Sequence, residues 1–265
     1  MDLGIKGRVA IITGAAGGMG FETARQLAEE GALLVLSDMK TDELDEKAAA
    51  LPTEWISVAA DVTKQSAVDA IAAAALKKFG RIDIVVHMSG VTGAKGHPLE
   101  MKDEDYEEAW KIDFFSAVRM ARATFPTMRK AKWGRFVCIT SENSVQPYWE
   151  EATYNTAKAA LAAFVKGLSY QEAEHGILCN TVAPAFIATP MTDGMMDKRS
   201  EEKGVSFDEA IESFLVEERP GIALKRRGRV DEVAAAIALL VSERASFING
   251  SNIRVDGGSV QSVQN

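Results

Sequence analysis

The stretch Thr13-Gly14-Ala15-Ala16-Gly17-Gly18-Met19-Gly20 limits what this chain can fold into more than any other. It follows the apolar run Val9 to Thr13 and precedes the helix-patterned run Phe21 to Glu30. In a strand–turn–helix setting each glycine has a task. One makes the tight turn, one lets backbone amides approach a pyrophosphate, and the last lets the helix start pack against the strand. The first helical turn offers unpaired N–H groups and positive dipole potential to phosphates. Gly14, Gly18, Met19 and Gly20 are therefore the candidate dinucleotide-binding residues of this turn.

The rest of the chain repeats the same alternation. Strand-like runs occur at Val9 to Thr13, Leu33 to Asp38, Trp55 to Asp61, Ile82 to Met88, Arg135 to Ser141, Ile177 to Ala183 and Asn252 to Val255. Most are continuously apolar, as strands covered on both faces are. Between them lie helical patterns such as Ser66 to Phe79 and Val230 to Leu240, with longer helices expected over Asp103 to Lys130 and Ala152 to His175. The expected architecture is α/β, a doubly wound Rossmann-type parallel sheet of about seven strands in a single domain covering residues 1–265. Met191 to Arg229 breaks the rhythm. It is charged and lacks a strand pattern, and reads as a helical excursion that forms a substrate lid.

Composition removes several function classes. With 30 Lys and Arg against 38 Asp and Glu, the chain has no basic stripe for nucleic acid or anionic membrane. No apolar stretch approaches the ~20 residues of a membrane span, and MDLGIKGR lacks a signal-peptide core, so a cytoplasmic location is expected. Cys138 and Cys179 read as buried free thiols, and His87, His97 and His175 show no ligand spacing, so no metal site is expected.

Asp38 closes the second strand, where a carboxylate binds adenosine ribose hydroxyls and repels the 2′-phosphate of NADP. No Arg or Lys stands at positions 15, 16 or 39, though Lys40 is near. NAD is the expected cofactor.

Tyr154 and Lys158 sit four apart at the start of a long helix, on one face, next to a strand ending in Ile139-Thr140-Ser141. With the glycine turn they identify a resemblance to the short-chain dehydrogenase/reductase family, in the subgroup marked by TGxxxGxG and YxxxK. Thr13 to Gly20 matches its nucleotide turn, and Asp61-Val62 its adenine-contacting pair. Ser141 has the family's serine spacing. Asn180 to Pro184 with Ile187-Ala188-Thr189 resembles the nicotinamide-contacting segment, and Asp256-Gly257-Gly258 the C-terminal signature. Ser89 and Gly90 stand in the family's cofactor-facing loop after the fourth strand.

The resemblance implies an NAD-dependent oxidoreductase that interconverts a secondary alcohol and a ketone. Tyr154 would be the acid/base, Lys158 would lower its pKa and bind ribose, and Ser141 would hold the substrate oxygen. The cofactor would lie against Gly14, Gly18, Met19, Gly20, Asp38, Asp61, Val62, Ser89, Gly90, Tyr154, Lys158, Pro184, Ile187 and Thr189. Physically, an ammonium about 4 Å from a phenol at an effective dielectric near 20 favours the phenolate by roughly 4 kcal/mol, an upper figure because desolvation opposes it. The family also implies a homotetramer.

Three positions depart from the pattern. Asp113 stands where the family has asparagine; if it faces Lys158, its charge should raise the pKa of Tyr154. His87-Met88-Ser89-Gly90 replaces Asn-Asn-Ala-Gly, with His87 expected to be packed and hydrogen-bonded. Pro184-Ala185 replaces Pro-Gly. Two rival functions remain at this stage: a nucleotide-binding regulatory or scaffold protein with weakened catalysis, and an NADP-preferring 3-oxoacyl-type reductase. An enoyl reductase of the same superfamily would want six residues between tyrosine and lysine, and only three intervene. Tyr148, Trp149, Phe186, Met191, Met195 and Met196 suggest an apolar or ring-bearing substrate.

Overall fold

Seven parallel strands lie at the centre of the computed structural model, which describes residues 2–263. They are β1 (Val9–Thr13), β2 (Leu33–Asp38), β3 (Trp55–Ala59), β4 (Ile84–His87), β5 (Gly134–Ile139), β6 (Ile177–Pro184) and β7 (Asn252–Val255), in the order β3-β2-β1-β4-β5-β6-β7. The helices are α1 (Gly18–Glu29), α2 (Asp42–Ala48), α3 (Gln65–Phe79), α4 (Asp103–Asp113), α5 (Phe115–Ala131), α6 (Ala152–Glu172), α7 (Pro190–Lys203), α8 (Phe207–Glu217) and α9 (Val230–Leu240). This is the doubly wound α/β sheet that the alternation predicts.

The apolar runs explain why the strands pair as they do. Every residue of β1, β4 and β5 is buried, and successive side chains serve opposite faces. Ala10, Ile12, Leu34, Leu36, Ile84 and Val86 join one core with α1 and α9, through residues such as Leu27 and Ile237. Val9, Ile11, Val35 and Val85 join the other, against α3, α5 and α6, through Ile71, Met120 and Leu161. Truncating one such Ile or Leu to Ala costs about 2–5 kcal/mol. Because β1 lies between β2 and β4, the chain reverses direction across the sheet there, with Thr13 paired to His87. Ligands bind at the carboxyl ends of strands beside such a reversal.

Two expectations need correction. The predicted strand ends Asp61, Met88 and Ser141 have left the sheet. Asp61 instead accepts bonds from the Thr63 amide and hydroxyl, at 3.0 and 2.6 Å, and Ser141 caps a short 3-10 turn by accepting from the Asn143 amide. The helix expected over Asp103 to Lys130 is two helices, α4 and α5, that part at Phe114. Ser116 Oγ donates back to the Ile112 carbonyl, a contact that bends helices. Phe114 packs edge-on against Trp110, Phe115 and Phe164.

The excursion 191–229 is helical, as expected. α7 and α8 pack over a small separate core of Phe186, Met196, Phe214, Leu215 and Ile222. Thr189 and Ser206 begin them with side-chain capping boxes. One parallel bridge, Ile187 to Gly228, ties the excursion back to the end of β6.

Candidate active site

The glycine turn is packed too closely for side chains. A Cβ on Gly20 would come 2.1 Å from the Gly14 carbonyl oxygen, and one on Gly14, at φ +68°, would come 3.1 Å from the backbone of Met88 and Ser89. Asp38 reaches across from β2 to accept the Ala16 amide at 3.0 Å and the Met39 amide at 2.7 Å. Gly17 caps α1 without a side-chain bond, and no acidic residue stands in the first turn, so the amides there are free to bind an anion. The turn therefore fits a dinucleotide pyrophosphate, with Asp38 beside it.

Behind this turn is a cavity of about 180 Å³ lined by Met19, Gly90, Ser141, Tyr154, Lys158 and the segment Pro184 to Ile187 with Thr189, among others. The loops after β4, β5 and β6 and the first turns of α6 thus bring together most of the expected catalytic and nicotinamide-facing residues. Gly14, Gly18, Gly20, Asp38, Asp61, Val62 and Ser89 lie outside the cavity wall, at the same carboxyl edge of the sheet. Ala185 has no positive φ, so the replaced glycine leaves no strain.

Lys158 is buried, with Nζ 5.5 Å from the Tyr154 ring centroid. It donates to the Ile139 carbonyl at 3.0 Å and pairs with Asp113 Oδ1 at 3.1 Å. Asp113 Oδ1 also accepts the Val91 amide at 3.2 Å, while Oδ2 is buried without a hydrogen-bond partner. A Cβ on Gly90 would lie 2.5 Å from Asp113 Oδ1 and 3.1 Å from Lys158 Nζ, so only glycine leaves room for this pair. The aspartate that departs from the family's asparagine thus faces the lysine directly.

The electrostatics correct one expectation. Lys158 does favour the phenolate of Tyr154, but burial of the phenol outweighs it, and the charge on Asp113 works with burial, so the hydroxyl stands above its ordinary pKa. Burial likewise pushes the Asp113 carboxyl up, against the pull of Lys158. Burial would lower Lys158, but Asp113 and Tyr154 outweigh it and hold the ammonium above its usual range.

His87 is no proton carrier here. Its Nε2 meets Ser116 Oγ at 2.8 Å, and that hydroxyl already donates to Ile112, so Nε2 carries the proton. Nδ1 then accepts from Thr13 Oγ1 at 2.9 Å. Burial, with the Lys158 charge, takes its pKa down to about 3, so the ring is neutral.

Ser141 Oγ donates to Asn143 Oδ1 at 3.0 Å. Asn143 Nδ2 in turn donates to Glu151 Oε2 at 2.6 Å and Asn155 Oδ1 at 2.8 Å. Glu151 is further held by Lys95 at 2.6 Å and by Arg219, which meets both its oxygens at 3.1 Å. Burial would raise this carboxyl, but these partners outweigh it and keep it low. Lys95, Asn143 and Arg219 fall within the stretches Val91 to Leu99, Glu142 to Glu151 and Met191 to Arg229 that the sequence offers as pocket lining, and all three line the cavity, but no motif singles them out individually. Arg219 sits in the charged run Val216 to Pro220, which resembles any solvated helix end, and Lys95 has no motif around it.

The aromatic residues divide. Phe186, Met191 and Met195 line the cavity, as does Phe214. Met196 is buried in the core beneath α7 and α8, Tyr148 lies under Arg219, and Trp149 is 63% exposed outside the wall. The cavity wall is mostly apolar, with Lys95, Glu142, Glu151, Lys158 and Arg219 as its charged members. Among the described residues no helix is long and apolar enough to cross a membrane, and no cluster of His, Cys, Asp and Glu could hold a metal ion.

Known proteins match this chain over nearly its whole length. Residues 14–260 match the family described as enoyl-(acyl carrier protein) reductase. Meso-2,3-butanediol dehydrogenase of Serratia marcescens is 34% identical over 256 residues, which cover 96% of this chain and 95% of that one. The structure of L-sorbose reductase from Gluconobacter frateurii with NADPH and L-sorbose superposes with TM-score 0.93 at 34% identity, covering 99% of this chain and 100% of that one. NAD+-bound xylitol dehydrogenase superposes with TM-score 0.86 at 25% identity, covering 96% and 99%. These matches run over nearly the full length of a chain whose strand order and glycine turn are already described: the chain belongs to the short-chain dehydrogenase/reductase family of oxidoreductases.

Proposed function

We propose that the protein is an NAD-dependent dehydrogenase that interconverts a secondary alcohol and a ketone. The observation that carries this reading is the meeting of Ser141, Tyr154 and Lys158 at one cavity, at the carboxyl edge beside the glycine turn. A nicotinamide dinucleotide, when bound, supplies the hydride acceptor or donor. Gly14, Gly18, Met19 and Gly20 would hold its pyrophosphate, Asp38 its adenosine ribose, Asp61 and Val62 its adenine. Ser89, Gly90, Lys158, Pro184, Ile187 and Thr189 would hold the nicotinamide half.

In the oxidation direction Tyr154 takes the carbinol proton while Ser141 holds the same oxygen. Asn143, anchored by Glu151 and Asn155, fixes the Ser141 hydroxyl. Lys158 stabilises the phenolate across 5.5 Å, and Asp113 acts as a positioning residue by holding the ammonium. In reduction Tyr154 returns the proton to the new alkoxide. The preference for NAD rests on the Asp38 carboxylate. The relatives named above include one bound to NADPH and one bound to NAD+, so likeness to them supports either cofactor. Excursion 191–229 acts as the substrate lid. The working assembly is a cytoplasmic homotetramer, consistent with Phe115 on α5 and Tyr170 on α6 being exposed.

The test is turnover of NAD and NADP over a panel of secondary alcohols, polyols, cyclic ketones and 3-oxoacyl thioesters. Tyr154→Phe is expected to lose about 10²–10⁴-fold in kcat, the range of one acid/base group, with cofactor affinity retained. Tight NAD binding with no turnover on any member would instead support a regulatory or scaffold role.

A further inference from the structure

His87 takes no part in proton transfer, yet both of its ring nitrogens are committed. It is buried at the end of β4, between Thr13 of β1 and Cys138 of β5. Thr13 Oγ1 lies 2.9 Å from Nδ1 and accepts the Met88 and Ser89 amides at 3.2 and 3.4 Å. Those two residues supply the backbone that a Cβ on Gly14 would meet. Thr13 thus holds the loop after β4 against the glycine turn. On the other side, Nε2 meets Ser116 Oγ at 2.8 Å, and Ser116 bonds the Ile112 carbonyl at the break between α4 and α5. The next residue is Asp113, whose Oδ1 takes Lys158 at 3.1 Å and the Val91 amide at 3.2 Å.

The proton count allows one arrangement. A carbonyl only accepts, so Ser116 gives its single proton to Ile112 and must accept from Nε2–H. A neutral ring with its proton on Nε2 has Nδ1 left as an acceptor, so Thr13 donates there. Its lone pairs are then turned to the two amides. Burial and the Lys158 charge both oppose protonation of the ring, so these bonds persist through the neutral range. An asparagine, the residue of the family pattern at this position, ends about where Nδ1 stands and cannot meet Ser116 as well.

We infer that His87 is a positioning residue with two arms. Through Thr13 it seats the loop after β4 on the turn that takes the dinucleotide, and through Ser116 it sets the α4–α5 break so that Asp113 meets Lys158. This rests on the dehydrogenase reading of that turn and of Lys158.

Two substitutions separate the arms. His87→Gln carries an amide N–H about as far as Nε2 but leaves Thr13 without its acceptor. Dinucleotide binding, titrated by fluorescence with NADH and NADPH, is expected to weaken about two- to tenfold, the worth of one hydrogen bond. The pH dependence of kcat/KM for oxidation, measured with the best alcohol of the panel above, stays in place. His87→Asn does the reverse. It keeps a partner for Thr13 and the dinucleotide affinity, but frees Ser116. The rise of activity then moves to lower pH by about 0.3 unit, the effect of a carboxylate that retreats about 2–3 Å from the phenol. Lys158, Asp113 and Glu151 are the charged groups acting on Tyr154, and neither substitution alters one of them. Ser116→Ala repeats the shift and serves where His87→Asn does not fold. Combined with His87→Asn it moves the profile no further, because both act through one bond.

Imidazole 15N spectra of the unaltered protein need no turnover. One ring is expected to stay neutral and protonated on Nε2 from about pH 5 to 8, with a signal that moves in Ser116→Ala. Three rings that all titrate in that range, or a buried ring protonated on Nδ1, overturn the inference. So do two His87 substitutions that change both readouts alike, as a merely structural residue would, or that change neither. A protein that binds dinucleotide but oxidises no alcohol refutes the dehydrogenase reading instead, and the titration and the spectra then still decide the role of His87.

Discussion

Replacing Asp113 with asparagine tests the electrostatic core of the site. The carboxylate lies 3.1 Å from Lys158 Nζ, which is itself 5.5 Å from the Tyr154 ring centroid. The negative charge is therefore no more than about 9 Å from the ring, where at an effective dielectric of 20 it disfavours the phenolate by about 1.8 kcal/mol. That is roughly one pH unit. Asparagine keeps the shape and an acceptor for the Val91 amide but removes the charge. Oxidation needs Tyr154 as a base, so activity rises as pH passes the pKa of its hydroxyl. Losing the charge that raises this pKa moves the rise to lower pH by about one unit. Lys158 also loses the partner that holds its own pKa up, so the ammonium titrates earlier and a decline enters from the alkaline side. The whole active window shifts acidwards. The assay is the pH dependence of kcat/KM for oxidation, with thermal melting to confirm folding. A window that stays in place at unchanged rate, or moves to higher pH, would remove Asp113 from the relay.

Two further substitutions probe the cofactor side. Gly20→Ala places a methyl group 2.1 Å from the Gly14 carbonyl oxygen, so the turn must open; dinucleotide affinity should fall at least about tenfold, or ~1.4 kcal/mol, in a fluorescence titration. An unchanged affinity would mean that this turn does not carry the pyrophosphate. Asp38→Asn keeps an acceptor for the Ala16 amide but removes the charge that repels a 2′-phosphate. The ratio of kcat/KM for NADP to that for NAD should rise about tenfold, and an unmoved ratio would refute the role given to Asp38.

What was legible beforehand follows from which features are local. Val9 to Thr13 and Val230 to Leu240 carry their periodicity in consecutive residues, and both elements run as the pattern predicts. The glycine turn is legible because the approach of Gly20 to Gly14 and the left-handed φ of Gly14 lie within one short segment, although Gly14 also meets the distant backbone of Met88 and Ser89. The break at Phe114 is not, because it depends on Ser116 bonding back to Ile112 and on Phe164 from another helix. Asp113 could be singled out as a departure, but its contact with Lys158 spans 45 positions of chain. The net direction of the Tyr154 pKa is not legible for the same reason. The charge that lowers it is four residues away, while the burial that wins comes from the whole fold. Arg219 reaches Glu151 across 68 residues, and no spacing rule connects them.

Glu151 joins three separate stretches of chain through Lys95, Asn143 and Arg219. Residues that share one partner do not change independently, and their effects are coupled instead of additive. The substrate range of this pocket is therefore rugged ground for variation. A single exchange at 95, 143, 151 or 219 strands the charges it leaves behind, whereas a compensated set moves the wall as a unit. Libraries that vary these four positions together should reach altered specificities that stepwise libraries miss.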